Sequence, residues 1–248
     1  MSAPSPQRDL RNRPLASLPD ADFELLRPRL RLVTMEKGDM LRWQEGPVPS
    51  VCFPLSGTIS TIVNLSDGRS VEAGMTGFDG MIDLCALGSG VAFGDHIVQG
   101  SGEAYMVDAS FLFHAAQSRP AILKMIFLAA EASAAYCHQS LACRTFHQLE
   151  ARFCRWLLMA RYHLKSDSLS LTHEFLATML GAQRSTVTGM AYKLQVDGLI
   201  SYHRGSIVLA DISRLKARSC ECYQRVVDRS ELAFPSAPSE HTQEPTAP

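Results

Sequence analysis

The residues best suited to do chemistry are concentrated between Thr172 and Leu209, and that chemistry is hydrogen bonding to base edges and phosphates. A predicted helix over 184–196 presents cationic and hydrogen-bonding side chains on one face, as a helix that enters the DNA major groove does. The candidate DNA-binding residues are Thr172, Gln183, Arg184, Ser185, Thr186, Thr188, Gly189, Lys193, His203 and Arg204.

Two helices joined by a sharp turn must position these side chains. Thr172 is a good N-cap for the first helix, and Gly181 provides the positive-φ turn that ends it. Apolar residues recur at helical spacing in both helices, at Phe175, Leu176, Met179 and Leu180 and then at Val187, Met190, Ala191 and Leu194. Two short segments, 199–202 and 207–209, follow Gly198 and predict a two-stranded wing. The alternative is a helical hairpin and a β-hairpin used only for structure or for protein docking.

The charge distribution also favours DNA. The whole chain has a formal net charge of −1, yet residues 144–229 contain thirteen Lys and Arg against seven Asp and Glu. The basic surplus therefore lies in the half that contains the predicted motif, which is typical of a nucleic-acid-binding domain.

Length and composition predict a globular protein of two domains with solvated tails at 1–14 and 230–248. We expect a cytoplasmic protein without a membrane partner, because no apolar run approaches about 18 residues and no secretory signal is recognisable. The seven cysteines form no CxxC pair and no zinc spacing. The sequence thus predicts reduced, structural cysteines, no metal site and no cofactor.

The amino-terminal half, residues 15–117, has short strand-like segments separated by glycines, which favours an antiparallel, jelly-roll-like β-roll. The predicted strands are Ser50 to Leu55, Thr58 to Leu65, Ser70 to Met75, His96 to Val98 and Ala104 to Val107, after a short helix from Pro19 to Leu32. With the helices that follow, the fold class is α+β.

A long helix is predicted over 118–143, with Ser118 as its N-cap. It has two apolar stripes: Leu123, Phe127, Ala130, Ala134, Cys137 and Leu141 form one, and Ile122, Ile126, Ala129, Ser133, Tyr136 and Ser140 form the other. Both must be buried, so we expect one to pack on the roll and the other on a second subunit. The alternative is a core helix in a monomer. An amphipathic helix over 148–164 then anchors the DNA-binding domain, residues 144–229.

A β-roll, a long helix and a winged helix-turn-helix in this order resemble the Crp/Fnr superfamily of bacterial transcription regulators. The closest local matches are LPDADFELLRPRL, VCFPLSGTIS, DGRSVE, FLATMLGAQRSTVTGMAYKLQVDGLISYHRG and CECY. The resemblance implies a non-enzymatic regulator that binds a pseudo-palindromic operator in double-stranded DNA as a homodimer through helix 118–143. It also implies a small effector, still unknown, sensed by the roll; RNA polymerase is a candidate partner.

Residue by residue, Thr172 matches the family's cap of the first motif helix, and Arg184 matches the arginine that reads a guanine. Ser185 stands where an acidic residue often follows, and Gly189 replaces a second basic residue. The operator should therefore differ from that of the best-known members. Glycine lowers helix propensity, so Gly189 indicates close backbone approach to DNA or to a neighbouring helix.

The effector site also departs from the cyclic-nucleotide-binding members. That mode needs an arginine on the phosphate, but no Lys or Arg lies between Arg69 and Arg119, where the carboxylates are Glu72, Asp79, Asp83, Asp95, Glu103 and Asp108. We therefore expect no tight cyclic-nucleotide binding. Effector-binding residues stay unassigned.

Other sensing modes have weaker support. Iron–sulfur sensing needs cysteines near the amino terminus, whereas the first cysteine is Cys52 on a predicted strand. Haem ligation by His96 or His114 is left open, and so is redox sensing by Cys137, Cys143 or Cys154, which are expected on buried helices where thiols are inert.

Two alternative functions remain open. A cupin-like metal-dependent enzyme could use the same roll, but His96 and His114 are the only roll histidines and form no HxH pair. A ligand-binding adaptor could use its winged helix to dock protein instead of DNA.

Overall fold

The antiparallel roll predicted for the amino-terminal half is confirmed. The computed structural model describes residues 11–203 and 205–236. The roll strands are β1 (Arg31–Met35), β2 (Met40–Arg42), β3 (Ser50–Pro54), β4 (Thr58–Asn64), β5 (Ser70–Thr76), β6 (Asp95–Gly100) and β7 (Gly102–Asp108). They form two antiparallel sheets, in the orders β1-β7-β3 and β2-β6-β4-β5.

The helix of the amino-terminal segment ends earlier than expected. Helices α1 (Arg13–Ala16) and α2 (Asp20–Leu26) precede a 3₁₀ turn over 27–29, and β1 begins at Arg31. The prediction of one helix from Pro19 to Leu32 was wrong at its end, because Pro28 has no amide hydrogen to continue the α-helical pattern.

The predicted tail at 1–14 was also too long. Asn12 is fully buried, and its side chain accepts a hydrogen bond from the Leu15 amide of α1. Residues 1–10 of that predicted tail lie outside the described residues.

The long central helix is α4 (Pro120–Phe146), later at both ends than the predicted 118–143. Ser118 does not cap it. An unpredicted helix, α3 (Ala109–Ser118), comes first, capped by Asp108, and the Ser118 hydroxyl donates to Ala115 O within it. Pro120 then starts α4, where its missing amide hydrogen costs nothing.

The two stripes of α4 have different environments. From the inward stripe, Ile122, Ala129 and Ser140 are buried, and Ile122 and Ala129 pack in one core with the roll residues Val51 and Phe53. Every residue of the other stripe is exposed, including Phe127 at 64% and Leu141 at 68%. Cys137 belongs to this exposed stripe, so the expectation that it is buried was wrong.

Helix α4 also corrects the expectation about apolar runs. By length and composition it is the one helix among the described residues that could cross a membrane, and only 17% of its apolar window is buried. A subunit interface has the same composition, so this test alone does not assign a membrane.

The carboxyl-terminal half is helical apart from one small sheet. Its elements are α5 (Leu149–Leu164), β8 (Ser168–Ser170), α6 (His173–Leu180), α7 (Arg184–Val196), β9 (Ile200–His203), β10 (Ser206–Leu209), α8 (Ile212–Arg218) and α9 (Cys222–Ala233). The wing has three strands, in the order β8-β10-β9, rather than the predicted two.

The predicted tail at 230–248 begins too early. Helix α9 continues to Ala233, Phe234 is buried, and the Ser230 hydroxyl donates to Asp79 of the roll at 2.8 Å. Residues 237–248 of that tail lie outside the described residues.

Candidate nucleic-acid interface

The two motif helices have the predicted bounds and the predicted turn. The Thr172 hydroxyl accepts a hydrogen bond from the Phe175 amide and caps α6. Gly181 ends α6 with a φ of +59°, a left-handed conformation that an L side chain rarely adopts. Helix α7 follows after two residues, so the turn fixes the angle between the helices.

One face of α7 holds it against the domain core. Val187, Ala191 and Leu194 are buried in one apolar cluster that includes Leu176 of α6 and Leu157 of α5. Since these contacts lock the rotation of α7 about its axis, they also determine which side chains face outward.

The predicted DNA-binding residues lie on the outward face of α7, at the start of α6 and on the wing. Exposed are Thr172, Gln183, Arg184, Ser185, Thr186, Thr188, Gly189, Lys193 and His203, whereas Arg204 lies outside the described residues. Arg184 has a side chain 71% exposed and only a 4.0 Å ion pair with Glu174. Its guanidinium is therefore accessible to an anionic or hydrogen-bonding partner.

Lys193 is less accessible than the sequence implied. Its Nζ lies 2.6 Å from Glu150 of α5, which also pairs with Arg218 at 2.8 Å. The hydrogen bond from Lys193, followed by the one from Arg218, lowers the pKa of Glu150. Glu150 stays ionised near neutral pH, so it partly neutralises Lys193.

His173 is a site residue that the sequence analysis missed. Its ring stacks on Tyr202 of the wing with 4.2 Å between centroids, and its Nδ1 lies 3.1 Å from the Thr188 hydroxyl of α7. Burial, then the charge of Arg184, lowers the pKa of His173. The neutral ring of His173 thus contacts both α7 and the wing from α6, and it connects the three elements. Its place directly after the Thr172 cap was the only available signal.

Gly189 has open space around it. Apart from its chain neighbours and the backbone of α7 itself, nothing among the described residues lies within 4 Å of the position that a Cβ would occupy. A neighbouring helix of this chain therefore does not explain this glycine, and close backbone approach to DNA stays a prediction.

We expect Gly189→Ala to stabilise the free protein by about 1 kcal/mol, because alanine has the higher helix propensity, and to weaken operator binding. Thermal unfolding and fluorescence anisotropy with operator DNA measure the two effects. Val196→Ala, on the exposed far end of the same helix, is the control and should leave DNA affinity unchanged. Unchanged affinity in Gly189→Ala would contradict close approach.

The motif packs directly against the roll. Arg144 of α4 donates to Glu72 O of β5 and to Met179 O of α6, both at 2.8 Å, and to Leu180 O at 3.2 Å. A Cβ on Gly181 would lie 3.3 Å from the Val71 side chain of β5. A cation at the carboxyl end of a helix is favourable, so Arg144 joins roll, central helix and motif.

A buried carboxylate reinforces this junction. Glu72 accepts a hydrogen bond from the Trp156 indole of α5 at 2.8 Å and another from the Ser60 hydroxyl. Burial raises the pKa of Glu72 to about 7, although both hydrogen bonds and the nearby Arg144 oppose that shift.

The raised pKa predicts a pH-dependent stability. The folded chain keeps a proton on Glu72 that the unfolded chain releases above about pH 4.5, so stability falls as pH rises towards 7. Glu72→Gln retains an acceptor for Trp156 and should stabilise the protein by up to about 3 kcal/mol near pH 8 but little near pH 5.

Denaturant unfolding at both pH values measures this difference. Glu103→Gln, which removes a partly exposed roll carboxylate, is the matched control. The same gain at both pH values in Glu72→Gln would contradict the account.

A second buried pair links the roll to the carboxyl-terminal half. Asp79 Oδ1 lies 3.0 Å from His163 Nε2 of α5, and Oδ2 accepts from Ser230 of α9. Although burial opposes ionisation, the charge and hydrogen bond of His163 hold the pKa of Asp79 down at about 2. The two halves therefore share polar contacts as well as an apolar core.

The two roll histidines have unequal environments. His96 is buried, with Nδ1 2.7 Å from Asp83 Oδ1, and Arg42 of β2 pairs with the same carboxylate at 3.0 Å. His114 is exposed on α3, and its Nδ1 lies 2.6 Å from Ser110 O. Both rings already have a protein partner, which favours structural roles over haem ligation.

Comparison with known proteins agrees with this geometry. Residues 151–218 match the family model of the Crp-like helix-turn-helix domain. No curated protein matches the chain.

Several solved structures have the same fold. A Crp/Fnr-family chain from Eubacterium rectale aligns with a TM-score of 0.66 at 20% identity, covering 81% of this chain and 94% of its own. FixK2 from Bradyrhizobium japonicum aligns at 0.65 and 16% identity, covering 77% and 98%. The c-di-GMP-responsive global regulator CLP from Xanthomonas campestris aligns at 0.63 and 17% identity, covering 78% and 100%.

The class of protein follows from fold and motif together. This chain has the fold of the Crp/Fnr transcription regulators and carries a Crp-like helix-turn-helix domain in its carboxyl-terminal half.

Proposed function

We propose that this protein is a sequence-specific, DNA-binding transcription regulator that acts as a homodimer on a pseudo-palindromic operator. The single observation that carries the proposal is the exposed face of α7, which begins with Arg184 on a helix held rigidly by its opposite, apolar face. An arginine at the amino-terminal end of such a helix can donate two hydrogen bonds to a guanine in the major groove.

The exposed stripe of α4 supports the homodimer. Leu123, Phe127 and Leu141 are 40%, 64% and 68% exposed and follow one line along the helix. Exposure of such an apolar stripe to water is unfavourable, so a partner surface is expected to bury it. In a two-fold dimer, the same stripe of a second copy is a self-complementary partner surface. Two recognition helices related by that two-fold axis would read half-sites about one helical turn apart.

The roll is proposed as the receiver of a small effector that is not a cyclic nucleotide. Arg42, the cation that β2 contributes to the roll interior, is already paired with Asp83. Val71 of β5 lies beside Gly181, and Arg144 of α4 links Glu72 O of β5 to Met179 O of α6, so a change in the roll has a direct route to the motif.

A non-enzymatic, cytoplasmic role and RNA polymerase as a partner are part of this proposal. The cupin-like alternative loses support because His96 is held by Asp83, while His114 is exposed on α3. The adaptor alternative predicts that the α7 face contacts protein.

The experiment that tests the proposal is binding of purified protein to genomic DNA fragments at low and high salt. A regulator of this kind binds some fragments in preference to others and loses affinity as salt rises, because Lys and Arg displace counterions from phosphates. Salt-insensitive binding, or none, would favour the adaptor. Metal-dependent activity that survives substitution of the α7 face would favour the enzyme.

A further inference from the structure

We propose that Cys143, His147, Cys220 and Cys222 form a Zn²⁺-binding site at the hinge between the central helix and the DNA-binding domain. One ligand atom from each residue, three Sγ and one imidazole nitrogen, lies within 4.8 Å of all the others. Three thiolates and one imidazole are a ligand set typical of structural zinc.

The spacing fits a single ion. With Zn–S bonds of about 2.3 Å, tetrahedral geometry separates two ligand sulfurs by about 3.8 Å. Cys143 Sγ and Cys220 Sγ are 3.5 Å apart, and Cys222 Sγ is 3.4 Å from His147 Nδ1. The cysteines of an iron–sulfur cluster surround several metal atoms and must lie farther apart, so these distances favour one Zn²⁺.

The surroundings of His147 orient it as a ligand. Its Nδ1 faces the cluster, and its Nε2 lies 3.4 Å from the Glu221 carboxylate. A carboxylate on the outer ring nitrogen fixes the tautomer that leaves the inner nitrogen free to bind metal. The amide of Gln139 donates to Cys222 Sγ at 3.0 Å, which supports a thiolate there.

The local charge also suits the ion. Three thiolates and one Zn²⁺ leave a net negative charge of one, which is costly in a partly buried site without a counter-charge. Arg155 supplies it, because its buried guanidinium interacts with Cys143 and donates to the Ser140 hydroxyl at 3.0 Å.

The position of the site gives it a structural consequence. Cys143 lies in the last turn of α4 and His147 directly after it, whereas Cys220 and Cys222 lie where α8 ends and α9 begins. Helix α8 packs on α5 and α9 packs on α4. One ion would therefore hold α4 to the connection between α8 and α9 and fix the angle at which the motif leaves the central helix.

Metal content of the full-length protein, purified with a reductant and titrated with Zn²⁺, tests this inference. We expect one Zn²⁺ per chain, and X-ray absorption should show about three sulfur ligands near 2.3 Å and one nitrogen near 2.0 Å. Cys220→Ser and Cys222→Ser should each weaken zinc binding at least tenfold. Cys137→Ser, an exposed cysteine of α4 outside the cluster, is the matched control and should bind as the wild type does.

Three results would overturn the inference: wild-type protein that binds no Zn²⁺, zinc retained in a Cys220→Ser/Cys222→Ser double variant, or a Cys143–Cys220 disulfide that persists under these reducing conditions. X-ray absorption on wild-type protein needs no variant to fold. Because metal content is measured without DNA, failure here is distinct from failure of the proposed DNA binding.

Discussion

Arg184→Ala is expected to weaken operator binding by about 1 to 3 kcal/mol per half-site, roughly 5- to 150-fold, while leaving the fold intact. The fold should survive because the Arg184 side chain is exposed and makes only a 4.0 Å ion pair. The affinity should fall because alanine offers no donors to a guanine. Fluorescence anisotropy with operator DNA and with a scrambled duplex measures the change and its sequence dependence.

Arg184→Lys separates base recognition from simple charge. Lysine keeps the positive charge but lacks the planar pair of donors that matches a guanine edge. We therefore expect Arg184→Lys to lose preference for the operator while retaining most binding to scrambled DNA. Arg27→Ala, an exposed arginine of the roll paired with Glu24, is the control and should change neither. Equal losses in Arg27→Ala and Arg184→Ala would contradict a specific role.

The second large effect is expected at the exposed stripe of α4. Phe127→Glu should convert the dimer to monomer, because association would bury a carboxylate among apolar side chains without a partner. A cost on the order of 4 kcal/mol raises the dimer dissociation constant about a thousandfold. Sedimentation over a range of protein concentrations measures it, and operator affinity should fall with it.

The matched control is Phe93→Glu. Phe93 is 77% exposed on a roll loop, so the same change of side chain is made away from α4. Phe93→Glu should stay dimeric and bind DNA normally. A Phe127→Glu protein that also stays dimeric would place the subunit contact elsewhere or favour the monomeric alternative.

The motif was predictable because its determinants are local. Helix α7 has the bounds read from the sequence, since Gly181 and the spacing of Val187, Ala191 and Leu194 define the turn and the buried face without reference to distant residues. The division of α4 into two stripes was predictable for the same reason.

Other features depend on contacts that no local pattern records. The roll segment between Arg69 and Arg119 contains no Lys or Arg, yet Asp83 is neutralised by Arg42 of β2. The pairing of His173 with Tyr202 joins the first motif helix to the wing across the turn.

The cysteine cluster also could not be predicted from local sequence patterns. Cys143 and Cys220 are 77 positions apart, so the local spacing that reveals a zinc finger is absent. Helix α3 was missed because the last predicted strand ended at Val107 and residues 108–117 were assigned to the roll without an element, although Asp108 caps the helix.

Selection of bound fragments from a genomic library by the purified wild-type protein tests the central claim most directly. We expect a recovered motif with two-fold symmetry, half-sites about one helical turn apart, and a guanine in each half-site whose preference disappears in Arg184→Ala. An asymmetric motif, or fragments recovered without any shared sequence, would contradict it.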